Sequence, residues 1–460
     1  MDGTRHRARA PKPAAKKSPK ARKPKRSGGA PDAVVSAAAA NEFAARALPA
    51  LLAPHSSPSP ADEWLETDGL GGFASGTVSG IRTRRYHALL LAATTPPTGR
   101  YVLVNGLEQR VVTPNGTYEL SAQRYAPDVV HPDGHRRVES FTADPWPKWT
   151  YRLEDGTRIE QEILARHGMT GVVVVWRLQE PAGEGDVTLC VRPLLSGRDP
   201  HALHHENASF RFDASVRDEE VVWRPYGDLP GIRVESNGIY MHRPLWYRNF
   251  LYSEEQARGL DFTEDLASPG TFRFELRRGE AAMILTTHAR SSEADRGLGR
   301  TPSGLPPFLG MASRSVVEAA RAVRDEEATR RAAFPTRLDR AADAYLVRRG
   351  GGMTVVAGYP WFTDWGRDTF IAIRGLCIAS GRLEDARRIL VEWAGAVSEG
   401  MLPNLFVERG DAPEFNSVDA SLWYVVAVRD FLDAASRERY RVPAAESRAL
   451  REAVLAILRG

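Results

Sequence analysis

Residues 299–310, GRTPSGLPPFLG, divide the chain into two kinds of sequence. Upstream, short runs rich in β-branched and aromatic residues recur at hairpin spacing: Tyr101–Asn105, Arg110–Thr113, Trp149–Leu153, Arg158–Leu164, Val172–Leu178, Val187–Val191, Ser209–Phe212, Thr271–Leu276 and Ala282–Thr287. Turn signals such as Pro114-Asn115-Gly116, Glu154-Asp155-Gly156 and Pro181–Asp186 separate them. No helix-length amphipathic run intervenes, so a parallel βαβ architecture is disfavoured and a large antiparallel sandwich is expected over residues 60–292. Downstream the apolar period becomes helical. Ser313–Ala333 reads as a helix bridging the two halves, followed by helices at Pro335–Arg349, Arg367–Ser380, Leu383–Glu399, Val418–Ala435 and Ala444–Leu458. Gly350–Gly352, Gly381, Gly400 and Pro443 are the stop signals. Short and long loops alternate, a pattern for helical hairpins whose long loops gather on one face.

The domain scheme is therefore a basic, disordered tail (1–32), a β-sandwich (60–292), a linker with its bridging helix (293–334) and a helical domain (335–460). The chain has 460 residues, room for roughly two or three domains of ~150 residues. Residues 1–30 hold eleven Lys/Arg and one acid, whereas the remaining 430 carry a net charge of −6. The overall +4 thus belongs to the tail, and a body dominated by nucleic-acid contacts is disfavoured, since counterion release needs positive charge on the binding surface. Non-specific contact with a polyanion is left to the tail. Cys190 and Cys377 are too few for a disulfide scaffold or a Cys-rich zinc site and read as small core residues. No run reaches the ~18 apolar residues of a membrane span, and no apolar segment follows the basic N-terminus as in a secretory signal. The expected setting is cytoplasmic.

Two loops of the helical half concentrate polar and aromatic chemistry. Gly358–Ile373, GYPWFTDWGRDTFIAI, places Trp361, Asp364, Trp365, Arg367 and Asp368 just before or within a helix start. Asp364 or Gly366 can cap that helix, and Asp368 in its first turn is favoured by the dipole. Helix capping alone accounts for the acids, but not for bulky rings filling a loop. Ring faces beside fixed Asp and Arg groups suit a pyranose, which offers C–H patches and many hydroxyls. Gly400–Trp423, GMLPNLFVERGDAPEFNSVDASLW, adds Asn404, Glu408, Asp411, Glu414, Asn416 and Asp419, with Trp423 on the same helical face as Asp419. Capping is again the alternative. Together the loops fit the walls of one acidic, aromatic-lined pocket, where a carboxylic acid can protonate a glycosidic oxygen and a partner carboxylate can activate water.

These segments resemble the prokaryotic glycogen-debranching, amylo-α-1,6-glucosidase family. The resemblance rests on Glu63–Leu91 (EWLETDGLGGFASGTVSGIRTRRYHALLL), Tyr359–Gly375 (YPWFTDWGRDTFIAIRG), Leu402–Phe406 (LPNLF) and Phe415–Tyr424 (FNSVDASLWY), four pieces in family order. It implies a β-sandwich followed by an (α/α)6 glucosidase toroid, and hydrolysis of α-1,6-linked glucose at branch points of glycogen or a similar α-glucan by an inverting carboxylate mechanism. It further implies that Asp419 is the general acid and that Trp365, Arg367 and Asp368 hold the terminal glucose. No cofactor or metal is implied, since the chemistry uses only carboxyl groups and water. The family's toroid has twelve helices and its general base lies near the far end, past the position of Gly460. The expectation is an incomplete toroid that binds glucans but hydrolyses α-1,6-glucosyl stubs very slowly or not at all, unless Glu408, Asp411 or Glu414 stands in for the base. The other readings are an α-1,4-acting glucoamylase-like enzyme, a non-catalytic glucan-binding protein, and a protein whose basic tail selects a polyanionic partner.

Position alone leaves Asp419 ambiguous. A helix N-terminus stabilises its anion, whereas burial against Trp423 and repulsion from Glu414 favour the acid. The glycines at 69, 71, 72, 76 and 80 lack a G-x-x-x-x-G-K-[ST] pattern and a following helix, so they read as tight turns or a loop against the helical domain, not a phosphate loop. Arg84, Arg85, Tyr86 and His87 read equally as glucan contacts or as interface residues. His201, His204 and His205 read as a solvated loop, without the partners of a zinc site.

Overall fold

A computed structural model describes residues 59–288, 315–406 and 413–460. The basic tail, most of the linker before residue 315, Glu408 and Asp411 lie outside the described residues. The strands of the two large sheets end at His288 and helices dominate from Val316, so an antiparallel sheet-rich half precedes a helical half. The larger sheet runs Glu63–Thr67, Phe73–Thr77, Ala88–Thr95, Thr98–Thr113, Thr188–Arg198, Thr263–Glu275, Ile239–Leu251, Ala122–Tyr125 and Val129–Asp133, with Gly116–Glu119 hanging off Thr98–Thr113. The smaller sheet has eight strands and centres on Ala281–His288 and Gly171–Glu180.

The valine run of Gly171–Glu180 shows why both faces of the smaller sheet are covered. Side chains alternate across a strand. Val172, Val174 and Trp176 join Leu103, Leu189 and Phe272 of the larger sheet in the sandwich core. Val173 and Val175 point the other way, onto Val316, Ala319, Ala320 and Val323 of the Val316–Ala332 helix. Those helical positions follow the i, i+3, i+4, i+7 rule for one apolar face. A capping box between Ser315 and Glu318 starts the helix. Near its end, Arg331 pairs with the buried carboxylates of Glu66 at 2.7 Å and Glu327 at 3.2 Å.

Several local expectations give way to tertiary context. Tyr101–Asn105 and Arg110–Thr113 are parts of one sixteen-residue strand. Ser209–Phe212 is not a strand: the Asn207 side-chain oxygen accepts the N–H groups of Ser209 and Phe210, closing a turn that delivers Phe210 to the core. His204 is buried rather than solvated, its ring nitrogens engaged by the Asp265 carbonyl and the Tyr226 hydroxyl and its face stacked on Trp246. No group of metal-ligating residues occurs among the described residues. Cys377 is buried, whereas Cys190 is only half-buried. The expected Pro335–Arg349 helix stops at Asp343, and Leu346–Arg349 pairs with Gly352–Val355 as a hairpin. Gly350 adopts φ +52° at that turn, and Val347 and Thr354 are fully buried, which favours strand over helix.

The helical half packs on a ring trio in which Phe370 lies 5.0 Å from Trp393 and 5.1 Å from Tyr424, with Phe431 and Leu450 beyond. The helix Gly366–Ile373 continues as a π turn, Arg374–Ala379. Helix Leu383–Ala394 ends five residues earlier than its pattern implied. Val418–Arg437 and Ala444–Arg459 pack against it. No helix among the described residues is long and apolar enough to cross a membrane.

The Gly69–Gly72 turn meets the helical half, its Gly69 carbonyl accepting the Arg348 N–H at 3.0 Å. Beside it the Asp68 carboxylate accepts the N–H groups of Leu70 and Gly72, yet burial outweighs them and pushes its pKa up to about 7. An acid raised from 3.8 in the unfolded chain contributes stability that is full below pH 4 and is lost as pH climbs through 7. Asp68→Asn keeps the accepting oxygen without the ionisation. It is expected to stabilise the protein at pH 8 by up to about 4 kcal/mol and to change little at pH 4, as measured by denaturant titration at both pH values.

Candidate active site

The two loops singled out in the sequence meet at a three-way backbone junction. Trp365 bridges to Leu405, and Leu405 bridges to Glu414. The Gly366 N–H donates to the Asn404 carbonyl at 2.9 Å, and the Asn404 N–H to the Glu414 carbonyl at 2.8 Å. Gly366 is required here, because a Cβ would stand 2.6 Å from the Pro403 carbonyl oxygen. The Asn404 side chain, itself buried, accepts the Arg367 N–H at 3.3 Å and donates to Asn416 at 3.3 Å. Asn416 in turn donates to the exposed Glu414 carboxylate at 2.9 Å.

On this junction stand three charged side chains that solvent reaches. Arg367 lies 3.7 Å from Asp419 and 3.9 Å from Asp368, and all three side chains are 45–46% exposed. Asp419 sits in the first turn of Val418–Arg437. Its carboxylate accepts the Ser417 hydroxyl, and that bond, with further help from Arg367, holds its pKa below the ordinary value. The Ser417 hydroxyl and Arg367, more than the helix start itself, therefore outweigh burial at Asp419. Trp423 is half-buried one turn along, with the Arg374 guanidinium 5.7 Å over its ring. Trp365 is half-buried, edge-on to exposed Phe362 at 5.9 Å.

Asp364 and Trp361 stand apart from this group. Asp364 is fully buried and paired with Arg349 at 2.7 Å, so it neither caps the helix nor meets solvent. The N-cap position belongs to Trp365, without a side-chain cap. Trp361 turns to the β half, 6.1 Å from the Tyr86 ring with the Arg84 guanidinium 5.4 Å over its own. Arg84 also pairs with Glu63, as does His87, and Arg85 lies 4.0 Å from the buried carboxylate of Glu255. Arg84 and Tyr86 thus meet the helical half at Trp361, whereas Arg85 and His87 pair within the β half.

Arg100 was invisible in the sequence. It lies on the sixteen-residue strand, is buried, and donates to the carbonyls of Pro360, Trp361 and Phe362 at 3.3, 2.8 and 3.4 Å. Nothing in its local pattern marks it, because its partners lie some 260 positions away. Arg349 was missed for a different reason: its partner Asp364 is only 15 positions away, but the local pattern makes Arg349 the end of a helix, whereas it lies on a strand. Ser417 was quoted only as part of a motif.

Residues 62–283 match the family "Glycogen debranching enzyme N terminal", and residues 340–456 match "Amylo-alpha-1,6-glucosidase". The glycogen debranching enzyme of Saccharomyces cerevisiae is 33% identical over 84 residues, a stretch covering 17% of this chain and 5% of the yeast protein. A bacterial glucoamylase solved in complex with acarbose superimposes with a TM-score of 0.42 at 14% identity, over 83% of this chain and 58% of that one. The chain thus spans only a small part of the yeast relative and rather more than half of the glucoamylase.

Proposed function

We propose, from the premise that the chain belongs to the glycogen debranching enzyme family, that it is a glycoside hydrolase that removes α-1,6-linked glucose from a branched α-glucan. The observation carrying this reading is the exposed Asp368–Arg367–Asp419 group, held on the backbone junction of the two loops. Asp419 is the proton donor to the glycosidic oxygen, and water attacks the anomeric carbon from the opposite face, with inversion. Arg367 and Asp368 take hydroxyls of the terminal glucose, Asn404, Glu414 and Asn416 line the rim, and Trp365 and Trp423 offer ring surface. Asp364 and Trp361 act at one remove, by fixing the loop. The test is glucose release from a branched limit dextrin by the purified chain, with the released anomer read by proton NMR. β-Glucose is expected. Release of α-glucose, or preference for linear maltooligosaccharides, overturns the assignment.

One observation favours a second reading, glucan binding without turnover: the Ser417 hydroxyl and Arg367 hold the Asp419 carboxyl below its ordinary range, the wrong direction for a general acid. Binding of maltoheptaose with no glucose release from any α-glucan between pH 4 and 7 establishes it.

Under either reading Trp365 is a sugar platform. Trp365→Ala is expected to weaken maltoheptaose binding by about 1–2 kcal/mol, roughly ten-fold, with little change in thermal stability. Calorimetric titration and a melting curve check both halves of the statement, and unfolding without loss of intrinsic affinity assigns the ring to packing instead.

A further inference from the structure

Away from the helical half, the β-sandwich holds a partly open cavity of about 80 Å³. That is several times the about 10–15 Å³ needed by one water. Trp64 and Leu89 reach it from the larger sheet, Trp149 and Tyr151 from the smaller, so it lies between the sheets. Among its lining residues Arg82 alone is charged. Arg82 is 6% exposed, and its Nε and one terminal nitrogen make no hydrogen bond. No carboxylate approaches it within ion-pair distance among the described residues. Its guanidinium lies 5.3 Å over the Phe250 ring, and Gly106 makes room for it, since a Cβ there would stand 2.2 Å from its other terminal nitrogen.

A buried cation without an ion-pair partner is costly, and a bound anion would supply the missing charge. The rest of the lining suits an anion. Gln123 and Gln161 are both 3% exposed. The Gln161 carbonyl is already taken by the Tyr151 hydroxyl at 3.3 Å, which leaves its amide N–H groups as donors. The two indole N–H groups are spent on the Thr77 and Val78 carbonyls, so the tryptophans offer only ring surface. We propose that this cavity binds a small oxyanion, phosphate or the phosphoryl group of a sugar phosphate, with Arg82 as its counter-charge and the glutamine amides as its hydrogen-bond donors. The site is distinct from the glucan pocket and does not rest on the hydrolase reading.

The experiment titrates the full chain at fixed ionic strength with inorganic phosphate, glucose 1-phosphate and glucose, following heat and tryptophan fluorescence, because two of the lining residues are tryptophans. One saturable phosphate site with a fluorescence change is expected, weakened at least ten-fold by Arg82→Gln and several-fold by Gln123→Leu. The second variant leaves the cation in place and serves if Arg82→Gln does not fold. Residues 1–30 attract phosphate in every variant, so the differences between variants report the cavity alone. Tighter binding of glucose 1-phosphate identifies a sugar phosphate as the source, and equal or weaker binding identifies free phosphate. Phosphate binding that both substitutions leave unchanged, no saturable binding, or glucose binding as tightly as phosphate overturns the proposal.

Discussion

Asp419→Asn is expected to lower glucose release from a branched limit dextrin by about 10²–10⁴-fold while leaving maltoheptaose affinity within a few-fold, because general acid help is lost and the hydroxyl contacts remain. The asparagine is nearly isosteric, and the carboxylate is exposed, so folding has little stake in it. The pH profile separates this from a positioning role. In the free protein Asp419 is held below the usual carboxylate range by the Ser417 hydroxyl first and by Arg367 second. kcat/KM reports the free enzyme, so it should rise as pH falls from 7 toward 4, where more of the acid is protonated. Ser417→Ala removes the larger anion-stabilising contact and should move that limb to higher pH. Sugar stacked over the site excludes water and disfavours the charge, so kcat should fall at higher pH than kcat/KM does. Full hydrolysis by Asp419→Asn, or a limb indifferent to Ser417, removes Asp419 from the chemistry.

Hydrophobic periodicity carried much of the fold. The change from period 2 to period 3.6 around residues 299–310 separates sheet from helix, and the valine run at 172–175 forms the expected strand, although its burial on both faces emerged only from the packing. What escaped was set at long range. Leu346–Arg349 continues the helical-looking sequence of Arg337–Asp343, and the packing of Leu346 and Val355 into the core of the helical half decides for a hairpin. The site divides similarly. Loop composition brought Arg367, Asp368, Asn404, Glu414, Asn416 and Asp419 onto one list, and the backbone junction places them together. The same composition could not tell Asp364 from Asp368, four residues apart, because the difference is a partner: Arg349 claims one and solvent the other.

Arg100→Met is expected to destabilise the protein by about 3–5 kcal/mol, the cost of removing one partner from a buried charge-assisted cluster. Three consecutive carbonyls, of Pro360, Trp361 and Phe362, lose a common donor, and none has a strand neighbour to replace it. The consequence should concentrate in the loop. Amide exchange of residues 356–366 should accelerate far more than that of the sandwich core, because this loop reaches the β half through Arg100, Tyr86 and Arg84. Glucan affinity should fall with it, since Trp365, Gly366 and Arg367 follow the loop directly. Arg100→Lys keeps the charge but not the planar fork that spans three acceptors, so it should rescue only part of the loss. Unchanged exchange in 356–366 would mean that the Arg349–Asp364 pair and the Leu405 bridge fix the loop from the helical half alone. A loop loosened as expected makes the sandwich the rigid wall against which a site built wholly from helical-half residues is set.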